Sequence, residues 1–158
     1  MIDELLKESS VIISVPILWS DMDAFQHVNN TTYLRHFEHG RIAYFQKIQL
    51  DQLMKSTGIG PILSETTCHF RIPLTFPDQV SIGARVSKID DSRFIMEYAV
   101  VSHKHEKIAA DGTGTLVAFD YRQNKKSSWP ETIRQAISIL ENSAVAVGSQ
   151  TQLNQGPP

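Results

Sequence analysis

A chain of 158 residues with a formal net charge of −2, its acids and bases interspersed, is long enough to bury one core without staples. It lacks the basic excess that binds nucleic acid or a membrane surface, and its single cysteine, Cys68, excludes an intramolecular disulfide. No charged start runs into a long apolar segment, so neither a signal peptide nor a membrane-inserted helix is expected, and a cytoplasmic location is.

Residues 1–142 read as one domain. Met1 to Ser10 is mixed, with Ile2, Leu5 and Leu6 spaced for a short helical turn. Val11 to Leu18 alternates as a strand, and Pro16, which has no N–H to donate, belongs at a sheet edge, at a bulge or where pairing ends. A polar turn follows, from Trp19 to Asn30. The next segment, Asn30 to Ile48, places Tyr33, Leu34, Phe37, Tyr44, Phe45 and Ile48 at helical spacing, with Asn29 and Asn30 as good N-caps. Gly40 inside this helix costs roughly 1 kcal/mol of propensity, which a close approach to a sheet would explain. Asp51 to Ser56 reads as a short helical turn or loop closed by Gly58-Ile59-Gly60-Pro61.

From Ile62 the period changes to that of strands: Ile62 to Ile72, Gln79 to Ile89, Phe94 to His103 and Ile108 to Asp120, joined by short turns that imply hairpins. Gly112-Thr113-Gly114-Thr115 reads as a bulge in the last of these. Pro130 opens a final helix, Glu131 to Asn142. Residues 143–158, rich in Gln, Ser, Gly and Pro, are expected to be a disordered tail. One strand, a long helix and four strands are satisfied by an α+β fold in which one antiparallel sheet wraps a single helix.

The turn carries the chemistry. Asp21, Asp23, His27, Asn29 and Asn30 crowd between a strand and a helix, where a turn alone would need no imidazole and no second acid. With Val28, Tyr33, Glu38 and Arg41 they form the pattern Asp-x-Asp, His-Val-Asn-Asn, Tyr and Glu-x-x-Arg. This pattern resembles the hotdog-fold acyl-CoA thioesterases of the 4-hydroxybenzoyl-CoA thioesterase-like kind. The resemblance is densest over residues 15–45 and extends through strand order to about residue 120. It implies a hotdog fold: a sheet of about five strands wrapped around one long central helix, plus a C-terminal helix. It also implies hydrolysis of an acyl-CoA thioester in a homodimer or homotetramer, with sites shared between subunits and Asp23 near the partner's strands.

A thioester needs an attacking oxygen and a stabiliser for the developing oxyanion; no metal or other cofactor is required. Asp23 is the candidate nucleophile or general base, and its position is the catalytic one in the family resembled. His27 is the second catalytic candidate, able to orient water or to donate to the carbonyl or the leaving sulfur. The backbone N–H groups of Asn29, Asn30 and Thr31, at the positive end of the helix, are the candidate oxyanion donors. Glu38 is a second-choice catalytic acid, the alternative being an ion pair with Arg41. Asp21 braces the turn. Phe25, Tyr33 and Arg71 are candidate substrate contacts, and Phe37 and Phe70 are either groove or core.

The turn also resembles that of plant acyl-ACP thioesterases, in which an Asp, an Asn and a His serve catalysis. Asp23 and His27 match, but the Asn falls on Phe25 and a later catalytic acid falls near Pro73. His36 with His39, and His103 with His105, lack the further ligands of a zinc site. Cys68 reads as a small buried residue. Arg71, Arg85, Lys88 and Arg93 could meet coenzyme A phosphates or simply be solvated. A protein that holds an acyl chain or acyl carrier without turnover, and a hotdog dehydratase, are the competing functions. The acyl group, and the choice between coenzyme A and acyl carrier protein, stay open.

Overall fold

The computed structural model describes the backbone of residues 1–153 and the side chains of residues 1–142. A short helix α1 (Ile2–Leu5) leads into strand β1 (Val11–Pro16). After a 3-10 turn at Trp19–Asp21 comes the long helix α2 (Asn30–Lys47), then α3 (Leu50–Thr57). Four strands follow, β2 (Ile59–Phe70), β3 (Gln79–Ile89), β4 (Arg93–Ser102) and β5 (Lys107–Asp120). The chain closes with the two-residue β6 (Lys125–Lys126) and helix α4 (Glu131–Leu153). The sheet is antiparallel in the order β1-β3-β4-β5-β2, with β6 paired to β5. It curls around α2, so the fold class is the one expected.

Several boundaries differ from those the pattern predicts. β1 stops pairing at Pro16, two residues before Leu18, because the backbone there turns into the 3-10 segment. The short helical turn or loop expected at Asp51 to Ser56 is a helix of eight residues, Leu50–Thr57, with Leu50 buried at its start. The residues expected to close it, Ile59 to Pro61, already pair with Ala118 to Asp120 and begin β2. α4 continues to Leu153, past the Asn142 end expected. Residues 154–158 of the expected tail lie outside the described residues.

α2 is seated by small residues. A Cβ on Gly40 would sit 3.0 Å from Ile82 Cγ2 and 3.5 Å from Ala84 Cβ, so the helix backbone lies directly on β3, the close approach its glycine suggested. Gly112 and Gly114 serve the same end on β5 rather than forming a bulge. They pair regularly with Cys68 and Thr66, and the register shifts lie elsewhere, at Leu63/Glu65 and at Val100/Val101. A Cβ at Gly112 would collide first with the Thr67 backbone carbonyl and then with the Phe37 ring at 2.8 Å, and one at Gly114 would meet the Tyr98 hydroxyl at 2.8 Å. The freed space holds Phe37 and Tyr98 stacked at 4.9 Å between centroids.

Around this seat the core includes Tyr33, Phe37, Tyr44, Val80, Ile82, Phe94, Met96 and Leu116. α2 lies chiefly over β3, β4 and β1 and touches β5 and the edge strand β2 least. On β2, Leu63, Thr66, Cys68 and Phe70 pair with Leu116, Gly114, Gly112 and Ala110 and so share their α2-facing side. With little helix above them, Leu63 and Phe70 remain exposed. An open trough therefore runs between α2 and the edge strand.

The far side is closed by one carboxylate. Glu141 of α4 accepts hydrogen bonds from the Tyr44 hydroxyl at 2.6 Å, the Ser10 hydroxyl at 2.5 Å and the Val86 N–H at 2.9 Å. It thus ties α4, α2, β3 and the N-terminal segment together. Replacing Glu141 by Leu leaves a buried hydroxyl and a backbone N–H unpaired, each worth about 1–3 kcal/mol. We expect chemical denaturation to show about 3 kcal/mol or more of lost stability. The Tyr44→Phe, Glu141→Leu double variant should fall short of the sum of the single losses, as groups in direct contact do.

Candidate functional site

The turn between β1 and α2 is built almost wholly by its own polar groups. Asp21 braces it as expected: its carboxylate accepts from the Leu18 N–H at 2.8 Å and its carbonyl from the Asn29 N–H at 2.9 Å. Met22 and Val28 pair across the turn. Beyond that bridge Asp23 N–H donates to the His27 carbonyl at 3.0 Å and Gln26 N–H to the Asp23 carbonyl at 2.9 Å. Gln26 takes a φ of 64° to close the tip.

Asp23 is half-buried, and its carboxylate is oriented from two sides. Oδ1 accepts from the Phe25 N–H at 2.9 Å, and Oδ2 from the Asn29 side-chain amide at 3.2 Å. The other end of that amide caps α2: Asn29 Oδ1 accepts from the Thr31 N–H at 3.0 Å and the Thr31 hydroxyl at 2.7 Å. One asparagine therefore starts the helix and fixes the carboxylate.

This arrangement narrows the oxyanion donors expected from the sequence. The Asn29 N–H is occupied by Asp21 and the Thr31 N–H by the cap. Asn30 N–H has no partner among the described residues and points from the positive end of α2. The pattern of residues could not reveal which donors the cap would use.

Two pockets open along the trough. The turn-side pocket, about 280 Å3, is lined by His27, Val28, Asn30, Tyr33, Phe70, Arg71, Ile72 and Pro73. Tyr33 and Phe70 meet edge to face at 5.2 Å. The Tyr33 hydroxyl donates to the Ile72 carbonyl and accepts from the Leu74 N–H, each at 3.0 Å, and so holds the pocket rim. The helix-side pocket, about 510 Å3, holds Thr31 and Glu38, and also Leu34, Arg35, His39, Arg41, Leu63 and Thr66.

Of the residues singled out in the sequence, His27, Asn30, Tyr33 and Arg71 thus meet in one pocket. Asp23 and Phe25 line neither. Phe25 is 83% exposed at the tip of the turn, so it is no pocket wall here. Phe37 is core. Pro73, where the plant pattern would place an acid, lines the turn-side pocket with no ionisable group. The residues missed are Arg35 on α2, Leu63 and Thr66 on β2 and Ile72 just past its end; nothing in the sequence pattern shows which face of that strand stays uncovered.

The remaining charged groups are mostly paired. Arg71 binds Asp111 in a two-pronged ion pair that holds the Asp111 carboxyl below the usual carboxylate range, and His69 Nδ1 lies 3.3 Å from the same group. Arg85 pairs with Glu97 and Glu8, and Arg93 with Asp90. Burial, with the Asp111 charge, pushes the Cys68 thiol up, the opposite of what a nucleophilic thiol needs. His103 accepts from or donates to the Ser81 hydroxyl at 2.8 Å. Neither histidine pair belongs to a group of three or more possible metal ligands among the described residues, and no helix there is long and apolar enough to cross a membrane.

Residues 17–137 match the family model described as the thioesterase-like superfamily. The chain is 32% identical over 110 residues to protein THEM6 of Xenopus laevis, a match covering 70% of this chain and 52% of that one, so it spans about half the length of that relative. It is 22% identical over 119 residues to the long-chain acyl-CoA thioesterase FadM of Escherichia coli, covering 75% and 90% of the two chains. Among solved structures, a Thermus thermophilus thioesterase complexed with coenzyme A and Zn superposes with a TM-score of 0.75 at 30% identity, over 85% of this chain and 96% of that one.

Beneath the turn lies His36, 3% exposed, with neither ring nitrogen partnered. Burial first, then the neighbouring His39, lowers its pKa from 6.5 to about 4, while Asp21 opposes the shift. The folded state therefore refuses a proton that the unfolded chain accepts, so stability falls as pH drops from 6.5 to 4 and not further below it. The loss is on the order of 3 kcal/mol at pH 4.5 relative to pH 7. Denaturant unfolding at those two pH values should show it, and the His36→Leu variant should lose that much less.

Proposed function

The chain belongs to the thioesterase-like superfamily, and from that membership we propose that it hydrolyses an acyl-CoA thioester at the turn between β1 and α2. The observation that carries the reading is the Asp23 carboxylate held by Asn29 at the cap of α2, one residue from the free Asn30 N–H. A base or nucleophile and an oxyanion donor are then ordered by one side chain.

The thioester carbonyl is taken at Asn30 N–H, beside the wall formed by Tyr33 and Phe70. Losing such a donor costs on the order of 3 kcal/mol of barrier. Asp23 acts in one of two ways. As nucleophile, a carboxylate oxygen attacks the carbonyl carbon, the C–S bond breaks to give the coenzyme A thiolate, and water cleaves the resulting mixed anhydride. As general base, it takes a proton from water, the hydroxide attacks, and the proton reaches the departing sulfur. His27, exposed in the pocket wall, orients that water or donates to the sulfur.

Asp23 lines neither pocket of a single chain, and in this reading a second chain completes the site around it. β1 and β2 are the sheet edges, and the trough beside β2 leaves Leu63 at 40% and Phe70 at 53% exposure. An unpaired edge and an open apolar trough both favour association. A homodimer closed along β2, or a tetramer of such dimers, covers both.

A binding-only reading rests on the same observation, that Asp23 lines neither pocket. Thiol release from a panel of acyl-CoAs separates the two. We expect the parent to turn over, Asp23→Asn to lose about 10³-fold or more in kcat, and Asn29→Ala to lose about 10–100-fold while still folding. Saturable acyl-CoA binding with no thiol released by the parent would sink the hydrolytic reading. Light scattering at micromolar concentration should give at least twice the 17.8 kDa chain mass; a monomer would remove the shared site.

A further inference from the structure

The helix-side pocket contains a cation that its own fold does not neutralise. The Arg41 side chain is 11% exposed, while its one acidic neighbour, Glu38, is 57% exposed and sits at 4.0 Å. At that distance and exposure solvent screens most of the attraction. Among the described residues the guanidinium is anchored instead on a neutral group: Nη1 donates to the Tyr98 hydroxyl at 3.2 Å, with the carbon 5.9 Å above the Tyr98 ring. Tyr98 is fixed in turn by its stack on Phe37 and by the space above Gly114.

A guanidinium has five N–H donors in a planar fork, and this one uses a single donor on protein. None of its nitrogens is a sealed, unpartnered atom, so the others open into the pocket. A largely desolvated cation without a close counter-charge is unfavourable until an anion arrives. Arg35 on the same wall adds a second guanidinium against Glu38.

We propose that Arg41 is the anion ligand of this pocket, taking a carboxylate or phosphate of the bound thioester in a two-pronged pair; this rests on the acyl-CoA reading above. From Asn30 to Arg41 the helix axis rises about 16 Å. Helical side chains lean toward the N-terminus, which brings the fork nearer the reacting carbonyl. That span suits the far end of a dicarboxylic acyl chain or the phosphate-bearing arm of coenzyme A.

The test uses hexanoyl and adipoyl thioesters, each on coenzyme A and on pantetheine, with the full chain and Arg41→Gln. If the acyl carboxylate is the ligand, the variant loses about 30-fold in kcat/KM on both adipoyl substrates and little on either hexanoyl one. If a coenzyme A phosphate is the ligand, both coenzyme A thioesters lose that factor and both pantetheine thioesters keep their rates. Calorimetry with adipate and with free coenzyme A gives a readout that needs no turnover. If no thioester is hydrolysed, the thioesterase reading fails, yet binding of one of these anions that disappears in Arg41→Gln still supports the anion site. Arg41→Lys keeps the charge without the fork, and its loss should be about tenfold; it also serves if Arg41→Gln does not fold. An equal fall on all four substrates with anion binding absent or unchanged overturns the proposal, as does dissociation of the dimer by Arg41→Gln, which would give the guanidinium to a second chain.

Discussion

The two ends of one amide, the Asn29 side chain, link folding to chemistry in this protein. Its oxygen closes the first turn of α2 by accepting from Thr31, and its nitrogen holds Asp23. A cap of this kind contributes about 1 kcal/mol to a helix, a modest sum. Its consequence is larger, because the carboxylate is oriented only when the helix has begun. The same cap occupies the Thr31 N–H, leaving Asn30 as the free donor. Ordering the site and starting the helix are therefore one event.

That event depends on where α2 lies. Gly40 lets the helix backbone touch Ile82, and Gly112 and Gly114 make room for the Phe37–Tyr98 stack. Side chains at these positions would lift or rotate the helix, and the turn would move with it. The Tyr33 hydroxyl then ties the first turns of α2 to the segment at Ile72 and Leu74, which carries one wall of the turn-side pocket. Packing beneath the helix and polar contacts at its start thus act on the same few ångströms of backbone. The stack also supports Arg41 through Tyr98, so the helix-side pocket takes its shape from the same three glycines and rings.

The sheet is wider than the helix it holds. α2 lies over β1, β3 and β4 and does not extend across β5 and β2, because a single helix of this diameter shields about three strands at the usual strand spacing. The uncovered strip is where the pockets lie. The polar turn and the pockets therefore lie beside the uncovered edge strand. His36, buried with neither ring nitrogen partnered among the described residues, shows the cost of burying a polar side chain on the helix face that meets the sheet.

Much was legible in the residues themselves. Alternation gave the strands, three- and four-residue spacing gave α2 to within one residue of its observed end, and Asn29 announced the cap. Asp21 could be read as a brace and Gly40 as a close contact, since each has few other uses in its place. These are local properties, decided by periods, caps and the reach of short side chains. The sequence also placed Asp23, His27 and Asn30 in one turn, because only a few bonds separate them.

What tertiary structure decided was non-local. The glycines at 112 and 114 looked like a bulge until rings from α2 and β4 were seen above them. Phe25, a candidate substrate contact by its place in the motif, stands exposed at the tip of the folded turn. The cap removed two of three candidate donors through hydrogen bonds that no spacing specifies. Above all, which face of β2 stays bare follows from the width of the sheet against the width of the helix, a relation among strands far apart in the chain. Residue order encodes each element, whereas the space left between elements exists only once they are packed.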